Sequence, residues 1–217
     1  MDQNRRKLFR ATCFGKWLDL SYFDHEPHMI DYILQKQCCP SNAHYDMPIV
    51  YYVEERPIHF GRPEFCLITG FRFGNVDLDS YKSGHLNFRN RVFPNHVGKK
   101  VTSLDIFGLI EDEHSFGIIY DEDAVRLCLL LALEVIFMGR LLVEEVDDTL
   151  FRLIENLDDW DAFPWGEYIW RRLYDQILDV ASKHKYKFLE GINKDRKFVP
   201  TYTLSGFVWA FKVSIFF

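Results

Sequence analysis

Apolar side chains recur at intervals of three or four residues over much of the chain, and this spacing predicts helices. The most apolar of these segments is "AVRLCLLLALEVIFMG", residues 124–139, which follows three acidic residues at 121–123. Acidic residues favour the start of a helix and a glycine favours its end, so we expect a helix near 121–138. Because it is apolar nearly all round, it should lie buried at the centre of the fold.

Shorter apolar stripes predict further helices. In "VTSLDIFGLIED", Thr102 or Ser103 can cap a helix in which Leu104, Phe107 and Ile110 share one face. The other stripes suggest helices over residues 24–37, 63–69, 147–157 and from Pro164 to about Ser182. In residues 63–69, Pro63 suits a first helical turn and Gly70 suits the helix end.

A β-hairpin is predicted in the first third of the chain. Two β-rich runs, Ile49 to Val53 and Ile58 to Phe60, flank the polar residues 54–57. Residues 74–100 are interrupted by glycine and proline and predict a long surface loop. The predicted fold class is therefore α+β and mainly helical, with a small antiparallel hairpin or sheet near residues 49–60 packed on a helical core.

Composition supports a folded protein. The 217 residues are 48% hydrophobic and 17% aromatic, which is enough for a real core, and we expect a single domain over residues 1–217. The net charge of −6 disfavours a general binder of polyanions. The five cysteines are odd in number and follow no secretory signal, so we expect reduced thiols in an intracellular protein. The apolar run at 127–138 is too short to span a bilayer and contains Glu134.

Three tryptophans stand five residues apart in "DDWDAFPWGEYIWRRLY". They could form a platform that stacks on a ligand, or they could be part of a packed core. Pro164 and Gly166 lie between Trp160, Trp165 and Trp170 and break any single helical register. We therefore expect a packed corner between two helices, with Trp160 the most exposed of the three.

Catalytic motifs are not found in the sequence. It contains no G-x-S-x-G elbow, no P-loop and no G-x-G-x-x-G turn, so we predict no enzyme activity, no catalytic residue and no cofactor. Cys66 and Cys128 fall in apolar helical patterns, which favours inert buried thiols. The eight carboxylates between Glu144 and Asp161 are expected to form a solvated face.

A zinc site could take its ligands from Cys38, Cys39 and His44, with His25 and His28 nearby in the sequence. Adjacent cysteines do not match the usual spacing of two to four residues between zinc ligands. We therefore predict no metal site.

A basic segment follows the last predicted amphipathic helix. Basic residues with interleaved aromatic residues are one way in which proteins hold nucleic acid, and the alternative is a solvated helix end whose lysines are favoured by the helix dipole. The candidate nucleic-acid contacts are Lys183, Lys185, Lys187, Lys194, Arg196 and Lys197.

Four segments together resemble a known family. In order they are "TCFGKWLDL", "RPIHFGRPEFCLITGFRFG", "AVRLCLLLALEVIFMGR" and "FPWGEYIWRRLY". They resemble DUF1985, a plant domain of unknown function that often stands ahead of a SUMO-protease-type cysteine protease domain in transposon-associated genes. The resemblance covers roughly residues 8–212, and its most specific parts are "EFCLITGF" and "FPWG". The motif residues are Glu64, Phe65, Thr69, Gly70, Phe163, Pro164, Trp165 and Gly166.

The resemblance implies an accessory module rather than an enzyme, because the family domain has no assigned activity. Nothing in the chain matches the protease domain, and the chain ends in the apolar "WAFKVSIFF", where family members usually continue. We therefore expect a chain truncated at its C-terminus relative to the family, with an intracellular or nuclear location. The expected function is non-catalytic interaction with an unknown protein partner, and nucleic-acid binding through residues 183–197 is the alternative. An unrecognised hydrolase is a third interpretation.

Overall fold

The computed structural model describes residues 2–19, 27–38, 40–195, 197–198 and 203–216. Backbone contacts divide the chain into two units, each assembled from two separate stretches of sequence. The first unit comprises residues 1–22 and 74–164, and the second comprises residues 23–73 and 165–217. The expectation of a single domain stays a prediction.

The predicted fold class is confirmed, because the described residues are mainly helical and contain a small antiparallel sheet. The strands are β1 (Gln37–Cys38), β2 (Ile49–Val53) and β3 (Arg56–Phe60). The helices in chain order are α1 (Gln3–Arg10), α2 (Pro27–Gln35), α3 (Arg62–Thr69), α4 (Asn87–Val92), α5 (Ser103–Glu111), α6 (Glu113–Ile118), α7 (Asp121–Leu131), α8 (Asp148–Leu153), α9 (Leu157–Ala162), α10 (Trp165–Ile177), α11 (Val180–Lys194) and α12 (Val208–Phe216).

The sheet of the second unit has the strand order β1, β2, β3, and both pairings are antiparallel. The predicted hairpin is confirmed, although β3 begins at Arg56, two residues earlier than predicted. Strand β1 was not predicted, because two residues carry no periodic signal. The sheet packs on α2, α3 and α12, so Tyr51 and Phe60 are fully buried.

The helix predicted from Pro164 to about Ser182 is two helices. Asp179 has a φ of 52°, in the left-handed region, and this residue separates α10 from α11. The second helix then continues through the lysines as far as Lys194, beyond the predicted end. The stripe of Ile169, Trp170 and Leu173 on α10 is buried as expected.

The first unit is built around α7. The helix predicted over 121–138 is confirmed as the buried centre: α7 runs from Asp121 to Leu131 and continues as a π-helix over Ala132–Phe137, before Gly139 with a φ of 61°. The wider π turns were not predicted. In the described part of the chain, no helix combines the length and apolar character needed to cross a bilayer.

Two loop and helix predictions in this unit were wrong. Residues 74–100 are not one surface loop, because they contain α4 and bury Phe88 and Phe93. Residues 147–157 are not one helix, because α8 ends at Leu153 and a separate helix, α9, starts behind Asn156. The Asn156 side chain accepts a hydrogen bond from a backbone N–H of the first turn of α9. Such an N-cap starts a new helix.

All three tryptophans of residues 158–174 are buried, so an exposed stacking platform is excluded. Trp160 lies on α9 in the first unit, where its ring meets that of Phe14 edge to face at 5.6 Å. Trp165 and Trp170 belong to the second unit. The expectation that Trp160 would be the most exposed was wrong, because α9 turns this side chain inward.

Candidate interaction surface

The motif residues of "EFCLITGF" stabilise helix α3. Glu64 Oε2 accepts a hydrogen bond of 2.8 Å from Gly61 N at the start of the helix, and Gly70 ends it with a φ of 63°. Phe65 is fully buried, and Thr69 Oγ1 donates to Phe65 O at 2.7 Å. Each of these residues has a structural role, which explains their presence without a ligand.

The motif "FPWG" is also structural. Phe163 and Trp165 are buried, and Pro164 stands immediately before α10. Gly166 N donates to Arg72 O at 2.7 Å, and a Cβ at Gly166 would lie 2.6 Å from that oxygen. Only glycine allows this close approach, because a side chain would collide with the backbone.

A buried ion network begins one residue after this motif. Glu167 is buried and accepts hydrogen bonds from Arg62 and, at 2.7 Å, from Arg171 Nε. The Glu167 carboxylate thus holds one arginine from α3 and one from α10. Arg62 also forms an ion pair with Asp46. The sequence contained only a partial signal for this network, the spacing of four residues between Glu167 and Arg171.

The basic segment lies on exposed parts of the second unit. Helical geometry puts Lys183, Lys187 and Lys194 on one side of α11 and Lys185 on another. Lys183 Nζ donates to Asp175 O at 2.6 Å, and Lys194 Nζ pairs with a carboxylate at 2.6 Å. Among the predicted contact residues Lys197 is exposed, and Arg196 lies outside the described residues.

Two of the described cysteines, Cys13 and Cys128, have thiols that are harder to ionise than usual, because their pKa values are raised. Burial raises the pKa of Cys13, and Asp161, which accepts a hydrogen bond of 2.8 Å from Cys13 N, raises it further. Burial also raises the pKa of Cys128, to about 11. Cys66 was predicted to be buried, but it is exposed, because it lies on the outer side of α3. A low pKa is what activates a catalytic cysteine, and here the shifts have the opposite direction.

A shallow cleft of about 240 Å³ brings a histidine and a carboxylate together in the first unit. His96 Nε2 lies 3.7 Å from Asp105 Oδ1. Burial opposes ionisation of Asp105, but hydrogen bonds from Thr102 outweigh it and lower the pKa of this carboxyl group. The cleft is otherwise lined by Val92, Phe93, Pro94, Asn95 and Leu109, so its walls supply a proton acceptor but no serine or cysteine nucleophile.

The structure describes only some of the ligands of the zinc alternative. In the ranges that the structure describes, no group of three His, Cys, Asp or Glu side chains could hold a metal ion. Cys39 and His25 of the zinc alternative, and the side chain of His28, lie outside the described residues. Of the eight carboxylates between Glu144 and Asp161, most are exposed, as predicted, and Asp147 caps α8.

Exposed apolar side chains gather around α5. Thr102 caps this helix as predicted, with its Oγ1 accepting from Asp105 N at 3.2 Å. The helix buries Ser103 and Ile106, however, and leaves Leu104 49% and Phe107 38% exposed. Two residues of the predicted stripe, Leu104 and Phe107, are therefore exposed, and the third, Ile110, is half-buried.

A turn beside α5 extends this apolar surface. Leu104 N donates to Leu142 O at 2.6 Å, which places the turn 141–144 against the first turn of α5. Leu141 and Val143 in this turn are 67% and 68% exposed. We call the resulting surface the α5 patch and define it by Leu104, Phe107, Gly108, Leu141 and Val143.

Comparison with known protein families shows which family the chain belongs to. Residues 41–176 match the family model described as Domain of unknown function (DUF1985), and this stretch is more than half of the 217 residues. The chain belongs to the DUF1985 family. No curated protein and no solved structure matches it.

The DUF1985 region contains the α5 patch and both motif segments. The basic segment at 183–197 lies beyond it, as does the first part of the chain up to residue 40. The resemblance noted in the sequence is thus confirmed over 41–176, and its wider extent, residues 8–212, stays a prediction.

Proposed function

We propose that this DUF1985 chain is a non-catalytic interaction module that binds a protein partner through the α5 patch. The observation that supports the proposal is the exposure of Leu104, Phe107, Leu141 and Val143 on adjacent segments of one unit. Single exposed apolar residues are common on protein surfaces, but neighbouring ones mark sites of association. Apolar side chains of this kind form the centre of protein interfaces.

The family resemblance adds a biological setting to the proposal. The module belongs to a plant protein of transposon-associated origin, inside the cell and in the nucleus. Its task there is to position a SUMO-protease-type enzyme, or another transposon-derived protein, on a partner. Both motif segments stabilise the fold of the module, and in this proposal neither takes part in catalysis.

Affinity capture from plant nuclear extract tests this function. We expect the wild-type chain to retain a reproducible set of proteins, and a Leu104→Gln/Val143→Ser variant to lose them. Leu67→Gln is the matched control, because Leu67 is 87% exposed on α3 in the other unit. Identical protein sets for the wild type and the patch variant would rule out the α5 patch as the binding surface.

Nucleic-acid binding is the second candidate function. Lys183, Lys187 and Lys194 lie on one side of α11, close to the exposed ring of Tyr186, and lysines beside an aromatic ring suit single-stranded nucleic acid. We expect weak binding of a labelled oligonucleotide that falls steeply with salt, because phosphate contacts release counterions. Lys187→Glu should weaken it, whereas Lys185→Glu on another side of the helix should have less effect. No binding at low salt, or equal effects of the two substitutions, contradicts this candidate.

A further inference from the structure

The border of the α5 patch is acidic. Glu111 is exposed one turn beyond Phe107 on α5, and Glu144 and Glu145 are exposed in and after the turn that contributes Val143. Glu144 Oε1 accepts from Leu141 N at 3.0 Å, which holds this carboxylate directly at the apolar side chains. Two basic residues of adjoining segments already have acidic partners, since Lys100 pairs with Glu145 and Arg140 pairs with buried Glu134.

The unit that contains the patch is acidic as a whole. The first unit holds 13 Lys and Arg residues against 20 Asp and Glu, whereas the second holds 13 against 12. The net negative charge of the chain is therefore concentrated in the unit that contains the α5 patch. Such a field attracts positively charged partners and accelerates their association.

Gly108 provides an independent observation on the shape of the partner. It is exposed in the middle of α5, between Leu104 and Glu111, and a Cβ there would meet no heavy atom within 4 Å. Glycine weakens a helix interior relative to alanine, and the packing of this chain does not require it at this position. A glycine on an exposed helix face leaves room for the backbone of a second helix to approach closely.

We propose that the α5 patch binds a basic amphipathic helix of a partner protein. This inference rests on the proposed function and specifies the chemistry of its partner. Apolar side chains of the partner helix contact Leu104, Phe107, Leu141 and Val143, while its flanking lysines or arginines face the glutamates of the border. The recognition mode is that of an amphipathic helix laid on an apolar surface.

The test uses the full chain and two synthetic probes. The first is a fluorescent helical peptide of about 18 residues, with leucines on one face and lysines on the flanks, and the second carries glutamates in place of the lysines. We expect the basic peptide to bind and the acidic peptide not to bind. Binding should weaken as NaCl rises from about 0.05 M to about 0.5 M, because salt screens the charges of the border.

Substitutions then show where on the chain the basic peptide binds. Leu104→Gln/Val143→Ser should lower the affinity for the basic peptide by about tenfold or more. Phe107→Gln serves as a second variant if the first does not fold. Leu67→Gln should bind like the wild type. Glu111→Lys should weaken binding, whereas Glu54→Lys, a matched charge reversal in the second unit, should not.

Gly108→Ala separates docking from folding. The thermal midpoint should rise, because alanine favours the helix, while the affinity for the basic peptide falls. An affinity that is unchanged or higher in this variant overturns the close approach of a partner helix.

Other outcomes overturn the partner assignment in distinguishable ways. Equal binding of the acidic and basic peptides excludes recognition by charge. Self-association of the chain that is lost in the patch variant identifies a second copy as the occupant instead. Failure of both peptides, together with loss of captured proteins in the patch variant, overturns the basic helix and leaves the interaction module in place.

Discussion

Glu134 is a buried carboxylate within the π-helical end of the central helix. Its Oε2 accepts a hydrogen bond of 2.9 Å from Arg140 Nη1, and its Oε1 is buried with no hydrogen-bond partner among the described residues. Burial raises the pKa of Glu134, the attraction of Arg140 opposes this, and the charges of Glu144 and Asp147 add to the rise. The turn that follows the π-helix at Gly139 brings Arg140 into place, since Arg140 N also donates to Glu134 O at 2.9 Å.

This raised pKa predicts a pH-dependent stability. As pH rises above the ordinary glutamate value, the unfolded chain releases the Glu134 proton before the folded protein does, so the free energy of unfolding falls. In Glu134→Gln this contribution is removed. Relative to the variant, the wild type should therefore lose stability between the ordinary pKa of glutamate and the raised pKa of Glu134.

Chemical denaturation of both proteins from about pH 4 to about pH 8 measures the difference. Glu122→Gln, an exposed carboxylate on the same central helix, is the control and should follow the wild type. Parallel curves for the wild type and Glu134→Gln would contradict the raised pKa of Glu134.

The β2–β3 hairpin is the element with the clearest local strain. Glu54 and Glu55 have φ values of 47° and 64°, both in the left-handed region. A two-residue hairpin with this geometry normally carries Asn-Gly, because few other residues tolerate positive φ. The sequence predicted the hairpin from its strands, whereas the usual turn signal is missing.

Replacement of the turn residues should stabilise the protein. In Glu54→Asn/Glu55→Gly the new residues tolerate the left-handed conformation of the turn. We therefore expect the free energy of unfolding to rise by about 1 kcal/mol. Glu54→Gln/Glu55→Gln is the control, since it removes the same charges without changing the φ preference. If the control gains as much stability in urea denaturation, relief of charge repulsion accounts for the effect.

Buried charges connect the helices of the first unit. Asp123 on α7 is buried and accepts from Arg91 Nε on α4 at 2.7 Å and from Arg126 Nη1 at 2.8 Å. Arg126 also donates to the carbonyl oxygens of Ile154 and Glu155 behind α8. These contacts anchor α4 within residues predicted as a loop. Apart from the Asp123–Arg126 pair on α7, they join residues far apart in sequence, so no local pattern indicated them.

At the scale of the whole molecule, the net charge of −6 conceals an uneven distribution. The first unit contains the excess of carboxylates, and the second unit contains the lysines of α11. The two functional proposals follow this division. A basic partner helix suits the α5 patch, and a nucleic acid suits Lys183, Lys187 and Lys194.

Local interactions account for what was correctly predicted. Residues 121–138 form the buried central helix because residues 127–138 are apolar apart from Glu134, and α5 starts at a Thr102 cap that involves neighbouring residues alone. Gly70 ends α3 because the left-handed conformation favours glycine. Caps, turns and periodic apolar runs act over a few residues, so they can be inferred from the chain without knowledge of its partners in space.

Contacts between distant residues account for the rest. The spacing of Leu104 and Phe107 placed them on one helix face, but the packing of α5 against α7 and against residues 142–146 chose Ser103 and Ile106 as the buried side. In the same way, Trp160 is buried and Cys66 is exposed, contrary to expectation. Periodicity shows which residues share a face. Whether that face meets the core or the solvent depends on which distant elements pack against it, and this also decides where the α5 patch lies.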